Sequence, residues 1–240
     1  MSVQDRYQTF VDDQRAFFDE LITENWDTYF SKSWDETRRY EIARLFQMIK
    51  PKAILDIGCG CGFHDQEMAS YPFVTRVDAF DYSSKSVGKA DEAYPHPKIT
   101  RWVGDFAVDV PKQRYDLVVS FQVFEHLSDP KPYFNFCRAA CAPGGYVAIF
   151  TPNRLRLRNC LRVRKGLPLE LLDPQHFKEY VPNEIVEMGR QAGLLPFATF
   201  GYGLDGHSLV DKLSNRRRLS LGRLLAPLAS GFCVIHHARA

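Results

Sequence analysis

The stretch Ala53-Ile54-Leu55-Asp56-Ile57-Gly58-Cys59-Gly60-Cys61-Gly62 decides the fold. An apolar run carrying one acid leads into glycine at every second place. The first half reads as a buried strand, the second as a turn with no room for side chains. Glycine at alternate positions permits positive φ and lets backbone N–H groups approach a ligand closely. A helix from about Phe63 would aim its positive end at that ligand. Strand, glycine turn and helix together form the front end of a nucleotide-type site. The spacing is not the G-x-G-x-x-G of dinucleotide binders, because the third glycine comes one residue early. Taken alone, the turn also fits a strand end that holds no ligand.

The 240 residues suffice for one large α/β domain. Their 45% hydrophobic and 25% charged content is that of a globular chain with a real core. The polar start, MSVQDRYQTFVDDQR, is not a signal peptide, and no apolar run reaches membrane-spanning length. A cytoplasmic location is the expectation. The six cysteines form no C-x-x-C pair; Cys137 and Cys141 read as core on one helix. Cys59, Cys61 and His64 lack a fourth partner for a metal site.

Outward from the glycine turn, strand and helix alternate. A helix covers about 63–71, and strand two runs 74–80 into Asp81-Tyr82-Ser83-Ser84. Ser83 or Ser84 suits the cap of helix 85–93. Asp81 ends strand two, about 20 residues past the glycines, where a carboxylate can accept from both ribose hydroxyls. Asp78, mid-strand, is the weaker choice because alternation turns it elsewhere. Strand three, 99–103, leads to Gly104-Asp105-Phe106. Asp105 there can accept from an adenine amine or form a turn, and Phe106 can flank the ring. Strand four, 115–121, opens into Gln122-Val123-Phe124-Glu125-His126. Helix 130–142, the turn Ala142-Pro143-Gly144-Gly145 and strand five, 146–150, follow. Such alternation means a parallel sheet with helices on both faces, and ligands beyond the carboxyl ends of its strands.

ILDIGCGCG, FDYSS, VGDF, YDLVVSFQVFEHLSDP, APGGYVAIFTPN and HFKEYVPNEIVEMGRQAGL resemble, in order, the motifs of the class I S-adenosylmethionine-dependent methyltransferases. The nearest likeness is to small-molecule O-methyltransferases of the ubiquinone-biosynthesis type. The resemblance implies an α/β, doubly wound, seven-stranded, mostly parallel sheet with its last strand antiparallel. Residues 201–202 and 232–236 would lie in or near strands six and seven. It implies S-adenosylmethionine as methyl donor and S-adenosylhomocysteine as product. Cofactor contacts fall on Asp56, Gly58, Gly60, Gly62, Asp81, Tyr82, Asp105, Phe106 and Gln122. Ubiquinone-type enzymes carry an acid, two residues and Glu-His after strand four, a set tied to a divalent metal. Gln122 replaces that acid, and Gln is a poorer ligand for a hard cation. No metal is therefore expected.

Transfer of an activated methyl is largely a matter of positioning, but a hydroxyl acceptor must also lose a proton. Histidine is the best-matched base at neutral pH. His126, beside the end of strand four, is the first choice, and His176 the second; each also fits a hydrogen-bonded structural role. Glu125 would orient His126 or a helix end.

Residues 1–50 read as an N-terminal helical layer or lid, with Phe10, Phe17, Phe18, Leu21 and Ile22 on one stripe. Ile42, Leu45, Phe46 and Ile49 form another, and Trp26, Tyr29, Phe30 and Trp34 lie between them. Residues 51–240 form the cofactor-binding domain, with a substrate-facing insertion at about 153–181. Residues 154–240 hold 14 Lys and Arg against 7 Asp and Glu, whereas the rest is net acidic. Arg154–Lys165 and Arg216–Arg223 interleave cations with leucine. Three readings fit them: a solvated face, a peripheral membrane contact, or recognition of an anionic acceptor. The sequence SFQVFEH lacks the Asn/Asp-Pro-Pro-Tyr of enzymes that methylate nucleic-acid amines. The expected acceptor is therefore small, sugar-like or lipid-linked. RNA or protein methylation through the basic C-terminal third, and a non-catalytic binding domain, are the alternatives.

Overall fold

A computed structural model describes residues 14–17, 19–20 and 32–239. Helix α1 (Lys32–Met48) leads into β1 (Ala53–Ile57) and α2 (Phe63–Ala69). Next come β2 (Arg76–Asp81), α3 (Ser84–Ala93), β3 (Ile99–Val103) and β4 (Tyr115–Phe121). A 3-10 turn, Phe124–His126, precedes α4 (Pro130–Ala140) and β5 (Cys141–Pro152). The insertion carries α5 (Leu157–Arg164), and α6 (Pro182–Gln191) and β6 (Leu195–Tyr202) follow it. The chain ends with α7 (Ser208–Asp211), α8 (Asn215–Leu224) and β7 (Gly231–His237).

One seven-stranded sheet has the order β3-β2-β1-β4-β5-β7-β6, with β7 antiparallel to both of its neighbours. Both faces are covered, so the strands are apolar on both sides rather than alternating with polar residues. Leu55, Ile57, Val118, Val147 and Ile149 meet Phe124, Tyr133, Phe134 and Phe136 on one face. Ile54, Val77, Leu117, Val119 and Ala148 meet Ile42, Leu45, Phe46 and Met68 on the other. Each such side chain contributes roughly 1.5–3 kcal/mol on burial. The caps are local: Ser83 Oγ accepts from Ser86 N at 3.0 Å. Asp129 Oδ1 accepts from Lys131 N at 3.0 Å, ahead of Pro130 in the first turn of α4.

Several boundaries differ from expectation. β2 starts at Arg76 because the Val74 N–H closes a turn onto Tyr71 O. β5 reaches back through Gly144-Gly145 to Cys141, and a register shift between Tyr115 and Leu117 absorbs the bend. α2 and α4 each stop two residues early, at Ala69 and Ala140. Of the N-terminal aromatics, Phe10, Phe18, Trp26, Tyr29 and Phe30 lie outside the described residues, as do Leu21 and Ile22. Within α1, Ile42, Leu45 and Phe46 are core. The order reverses between β1 and β4, so a crevice opens at their carboxyl ends. None of the described helices is long and apolar enough to cross a membrane.

Candidate active site

A cavity of about 770 Å³ occupies that crevice. The glycine turn forms one wall. Gly58 and Gly60 have φ of +72° and +51°. The amides of Gly58 and Cys59 donate to Phe80 O at 2.8 and 3.0 Å, and the Gly60 N–H donates to Asp81 Oδ2 at 3.0 Å. A Cβ on Gly58 would stand 2.5 Å from Val123 Cγ2, whereas one on Gly60 would meet nothing within 4 Å. Asp81 Oδ1 accepts from Ser83 N at 2.9 Å, so this carboxylate ties the glycine turn to β2 while it lines the cavity. Tyr82 lies beside it, under the guanidinium of Arg15. Asp105 and Phe106 also line the cavity. Asp105 Oδ1 accepts from Ala107 N at 2.8 Å, which is the turn-forming role, and Phe106 sets its ring edge-on to Tyr133.

Asp56 and Gly62 do not line it. Asp56 is 1% exposed and shares its side of β1 with Ile54, behind the turn. Burial first, then Asp65 and Asp81, push its carboxyl far above the usual range. Alternation along β1 was the available signal. Gly62 sits at the start of α2, where a Cβ would come 2.7 Å from Ala90 Cβ, so it serves the packing of α2 on α3.

The far end of the cavity gathers Glu125, His126 and His176. One donor atom of each lies within 4.8 Å of the other two. Backbone contacts strap the insertion onto the 3-10 turn: the amides of Phe177 and Lys178 donate to Glu125 O at 2.8 and 3.1 Å. His126 Nδ1–H donates to Gln175 O at 3.1 Å, which leaves the lone pair of the neutral ring on Nε2. Burial, with His176 alongside, pulls His126 down to about 4. The two rings meet edge to face, with centroids 4.9 Å apart. His176 Nδ1 lies 3.1 Å from Glu179 Oε1, and its Nε2 lies 3.9 Å from Glu125 Oε1. Glu125 is fully buried, and its Oε2 accepts from Thr151 Oγ1 at 2.9 Å. Burial pushes its carboxyl up to about 7, against the pull of His176. Glu125 is thus a titrating member of the cluster, beyond the orienting part expected of it.

Gln122 has φ 56°, and among the described residues it is the only non-glycine with positive φ. Holding an L-residue there costs roughly 1–2 kcal/mol. Its N–H donates to Phe150 O at 3.0 Å, and its Nε2 donates to Tyr202 OH at 3.0 Å. A neutral amide held by Tyr202 is a poorer ligand for a hard cation than the acid it replaces, while the donor atoms of Glu125, His126 and His176 stand close enough together to hold a metal ion. Cys59, Cys61 and His64 form no ligand cluster among the described residues. His64 instead stacks on Phe121 at 3.8 Å and lies 3.5 Å from Glu41. Glu41, on α1, went unnoticed in the sequence. It lines the cavity, hydrogen-bonds Tyr202, and is pushed by burial up to about 8. No local signal links it to Tyr202, 161 residues away.

In the first basic run Arg156 alone is buried, while Arg154, Arg158 and Arg162 pair with carboxylates at or near the surface. Arg156 is 1% exposed and ion-paired with Glu179. Arg154 pairs with Glu184, and Arg158 and Arg162 share Glu170. Arg164 and Lys165 are exposed and have no carboxylate partner among the described residues. Arg156 therefore leaves the candidate membrane face.

Comparison with known proteins supplies the wider context. A family model described as "Methyltransferase domain" matches residues 34–195. The ubiquinone biosynthesis O-methyltransferase of Hydrogenovibrio crunogenus is 29% identical over 195 residues, 78% of this chain and 80% of that protein. The protein of the same name from Bordetella bronchiseptica is 31% identical over 191 residues, 70% of this chain and 76% of its own. Among solved structures, the DhpI–SAH complex superposes with a TM-score of 0.66 at 16% identity, covering 96% of this chain and 97% of that one. N-methyltransferase NodS of Bradyrhizobium japonicum, in complex with S-adenosyl-L-homocysteine, superposes with a TM-score of 0.59 at 16% identity, covering 98% of each. At such identities the two structures speak for the fold alone.

Proposed function

The chain belongs to the class I S-adenosylmethionine-dependent methyltransferases, and we propose that it methylates a hydroxyl on a small, sugar or lipid-linked acceptor. S-adenosylmethionine is its methyl donor and S-adenosylhomocysteine its product. Bound, this cofactor supplies a methyl already activated on a sulfonium. The protein's part is to position the two reactants in line, exclude water and remove the hydroxyl proton.

The residues present fit that ligand. Gly60 leaves open the space where a side chain would stand, and Val123 lets Gly58 carry none. Asp81 uses one lone pair of each oxygen on Gly60 and Ser83, and the remaining pairs can accept from the ribose hydroxyls. Tyr82, Asp105, Phe106 and Gln122 complete the wall for the adenosine and its amino-acid arm. The observation that carries the reading is the meeting of Glu125, His126 and His176 at the far end of this same cavity. There one of the two imidazoles takes the proton.

Leu172 lines the cavity, and it is exposed together with Leu169, Leu171 and Phe177, in the same segment that begins with the exposed Arg164 and Lys165. This rim supports peripheral contact with an anionic membrane and hence a lipid-linked acceptor. Pairing of the other insertion arginines with Glu170, Glu179 and Glu184 counts against RNA docking there. The test is a screen of hydroxylated acceptors with labelled methyl donor, run beside calorimetric binding of S-adenosylhomocysteine. His126→Ala and His176→Ala should keep that binding within about twofold, and at least one should lower turnover on the order of 100-fold. If neither lowers turnover, neither imidazole is the base.

A further inference from the structure

Glu179 stands in the insertion, outside every expected site residue, and joins His176, Leu172 and Arg156. Its Oε1 lies 3.1 Å from His176 Nδ1 and also accepts the Leu172 N–H. Its Oε2 pairs with Arg156 Nη1 in a contact from which solvent is excluded. Arg156 begins the insertion and holds its loop: Nη1 also donates to Asn153 O at 3.3 Å, and Nη2 donates to Glu170 O. Asn159 closes the same loop through Glu170, donating to its carbonyl at 3.0 Å and accepting from its amide at 3.2 Å. A buried arginine, a buried carboxylate and a cavity-lining imidazole thus stand in series.

We propose that Glu179, fixed by Arg156, positions His176 as the group that takes the acceptor's proton. This rests on the methyl transfer to a hydroxyl proposed above, and selects between the two imidazoles of that reading.

A carboxylate on Nδ1 favours the tautomer with the proton on that nitrogen, which leaves the lone pair on Nε2, 3.9 Å from Glu125 Oε1 in a residue that lines the cavity. It also stabilises the imidazolium that forms when Nε2 accepts a proton. His126 Nδ1 meets the backbone carbonyl of Gln175, which orients the ring, and burial outweighs the help that this carbonyl and Asp173 give to its charged form. The adjoining His176 weakens it further as a base. Arg156 keeps Glu179 ionised: together with hydrogen bonds from His176 and Leu172, it holds that carboxyl below the usual range despite burial. In the step itself, the acceptor O–H breaks and its proton passes to His176 Nε2. The oxygen lone pair forms the new O–C bond, and the S–C pair stays on sulfur. The charged or titrating groups around His176 are Glu125 and His126 from the 3-10 turn, Glu179 and Asp173 from its own segment, and Arg156 ahead of α5.

The test is Glu179→Gln in the full chain, with an acceptor found by the screen. Expected are unchanged binding of S-adenosylhomocysteine, KM within about threefold, and kcat lower on the order of 100-fold. Glu179→Asp recovers most of kcat. A purely structural Glu179 would lower stability or raise KM with kcat spared; that result, or unchanged kcat, overturns the proposal. Nitrogen-15 NMR of the His176 ring in the wild-type protein gives a decision even if the variant fails to fold. The Nδ1–H tautomer is required, and the Nε2–H tautomer overturns the proposal. The NMR measurement needs no acceptor, so failure of the positioning claim and failure of the hydroxyl-methylation reading register separately.

Discussion

Replacing Glu125 by Gln should stabilise the protein at alkaline pH while impairing methyl transfer. Glu125 is fully buried, and burial raises its carboxyl from 4.5 to about 7. The sign follows from linkage. An acid whose pKa is higher in the fold than in the unfolded chain imposes no penalty below the unfolded value. The penalty grows as pH rises above 4.5 and saturates above about 7. Fully developed it is roughly 3 kcal/mol, and about 2.5 kcal/mol of it accrues between pH 5 and pH 8.5. A glutamine amide is neutral throughout and close in shape. Its oxygen can accept from Thr151 Oγ1 as Glu125 Oε2 does, and its NH2 can face His176 Nε2. Urea unfolding of both proteins at the two pH values isolates the term, because every other titrating group is shared. The variant should gain about 2.5 kcal/mol relative to wild type between pH 5 and pH 8.5, with the m-value unchanged. A difference that stays flat with pH, or a variant less stable at pH 8.5, would refute a buried carboxylate that ionises at a cost. Since the same carboxylate faces His176, turnover should fall as stability rises, which is the trade expected at an active site.

The two inner glycines of the turn should separate stability from binding. Gly58→Ala forces a methyl to 2.5 Å from Val123 Cγ2 at φ +72° and should lower the unfolding midpoint, with roughly 1–2 kcal/mol from the backbone alone. Gly60→Ala meets no protein atom and should cost only the backbone part, yet weaken S-adenosylhomocysteine binding more than tenfold by projecting into the cavity; equal effects on both readouts would argue against this assignment. Overnight treatment with EDTA should leave turnover within about twofold, because Gln122 weakens the oxygen-rich metal set. Loss restored by an added divalent ion would reverse that conclusion. Joint replacement of Arg164, Lys165, Arg216 and Arg217 by Ala should abolish flotation with phosphatidylserine vesicles, at about 1 kcal/mol per cation. Flotation equal to wild type would remove the membrane from the proposed function.

Most of the sheet was legible because its information is local. Runs such as Ile54–Ile57 and Leu117–Phe121, punctuated by Gly58–Gly62 and Gln122, carry strand and turn in their own composition. The places of Asp81, Asp105 and His126 on the cavity wall were legible for the same reason, since each lies at or just beyond the end of a strand that can be seen. Asp56 misled because the motif drew attention away from alternation, which turns it to the side of Ile54. Glu41 and Tyr202 could not be read, since their hydrogen bond joins residues 161 apart and exists only once α1 lies over the end of β6.

The basic C-terminal third shows where charge counting fails and what replaces it. Arg154, Arg156, Arg158 and Arg162 looked like a cationic face, because a sequence displays charges without their partners. In the fold, Glu170, Glu179 and Glu184 return from 8 to 30 residues later and meet them. A buried arginine tolerates desolvation only with such a partner, and breaking such a pair leaves a buried charge uncompensated. The insertion is therefore held by internal ion pairs, and that fixes the reach of its loop. Residues 175–178 are tied to Glu125 and His126 through two backbone hydrogen bonds and one from the His126 ring, which couples His176 to the end of β4. Leu169, Leu171, Leu172 and Phe177 are left outward on the same rigid loop. One element thus sets both the proton acceptor and the apolar rim that an acceptor must pass. Exchanging residues 165–180 between related enzymes should then change acceptor choice while leaving S-adenosylhomocysteine affinity within about twofold, because no residue of the glycine turn, Asp81 or Asp105 lies in it. A swap that alters cofactor affinity and acceptor choice together would show that the two ends of the cavity are not independent.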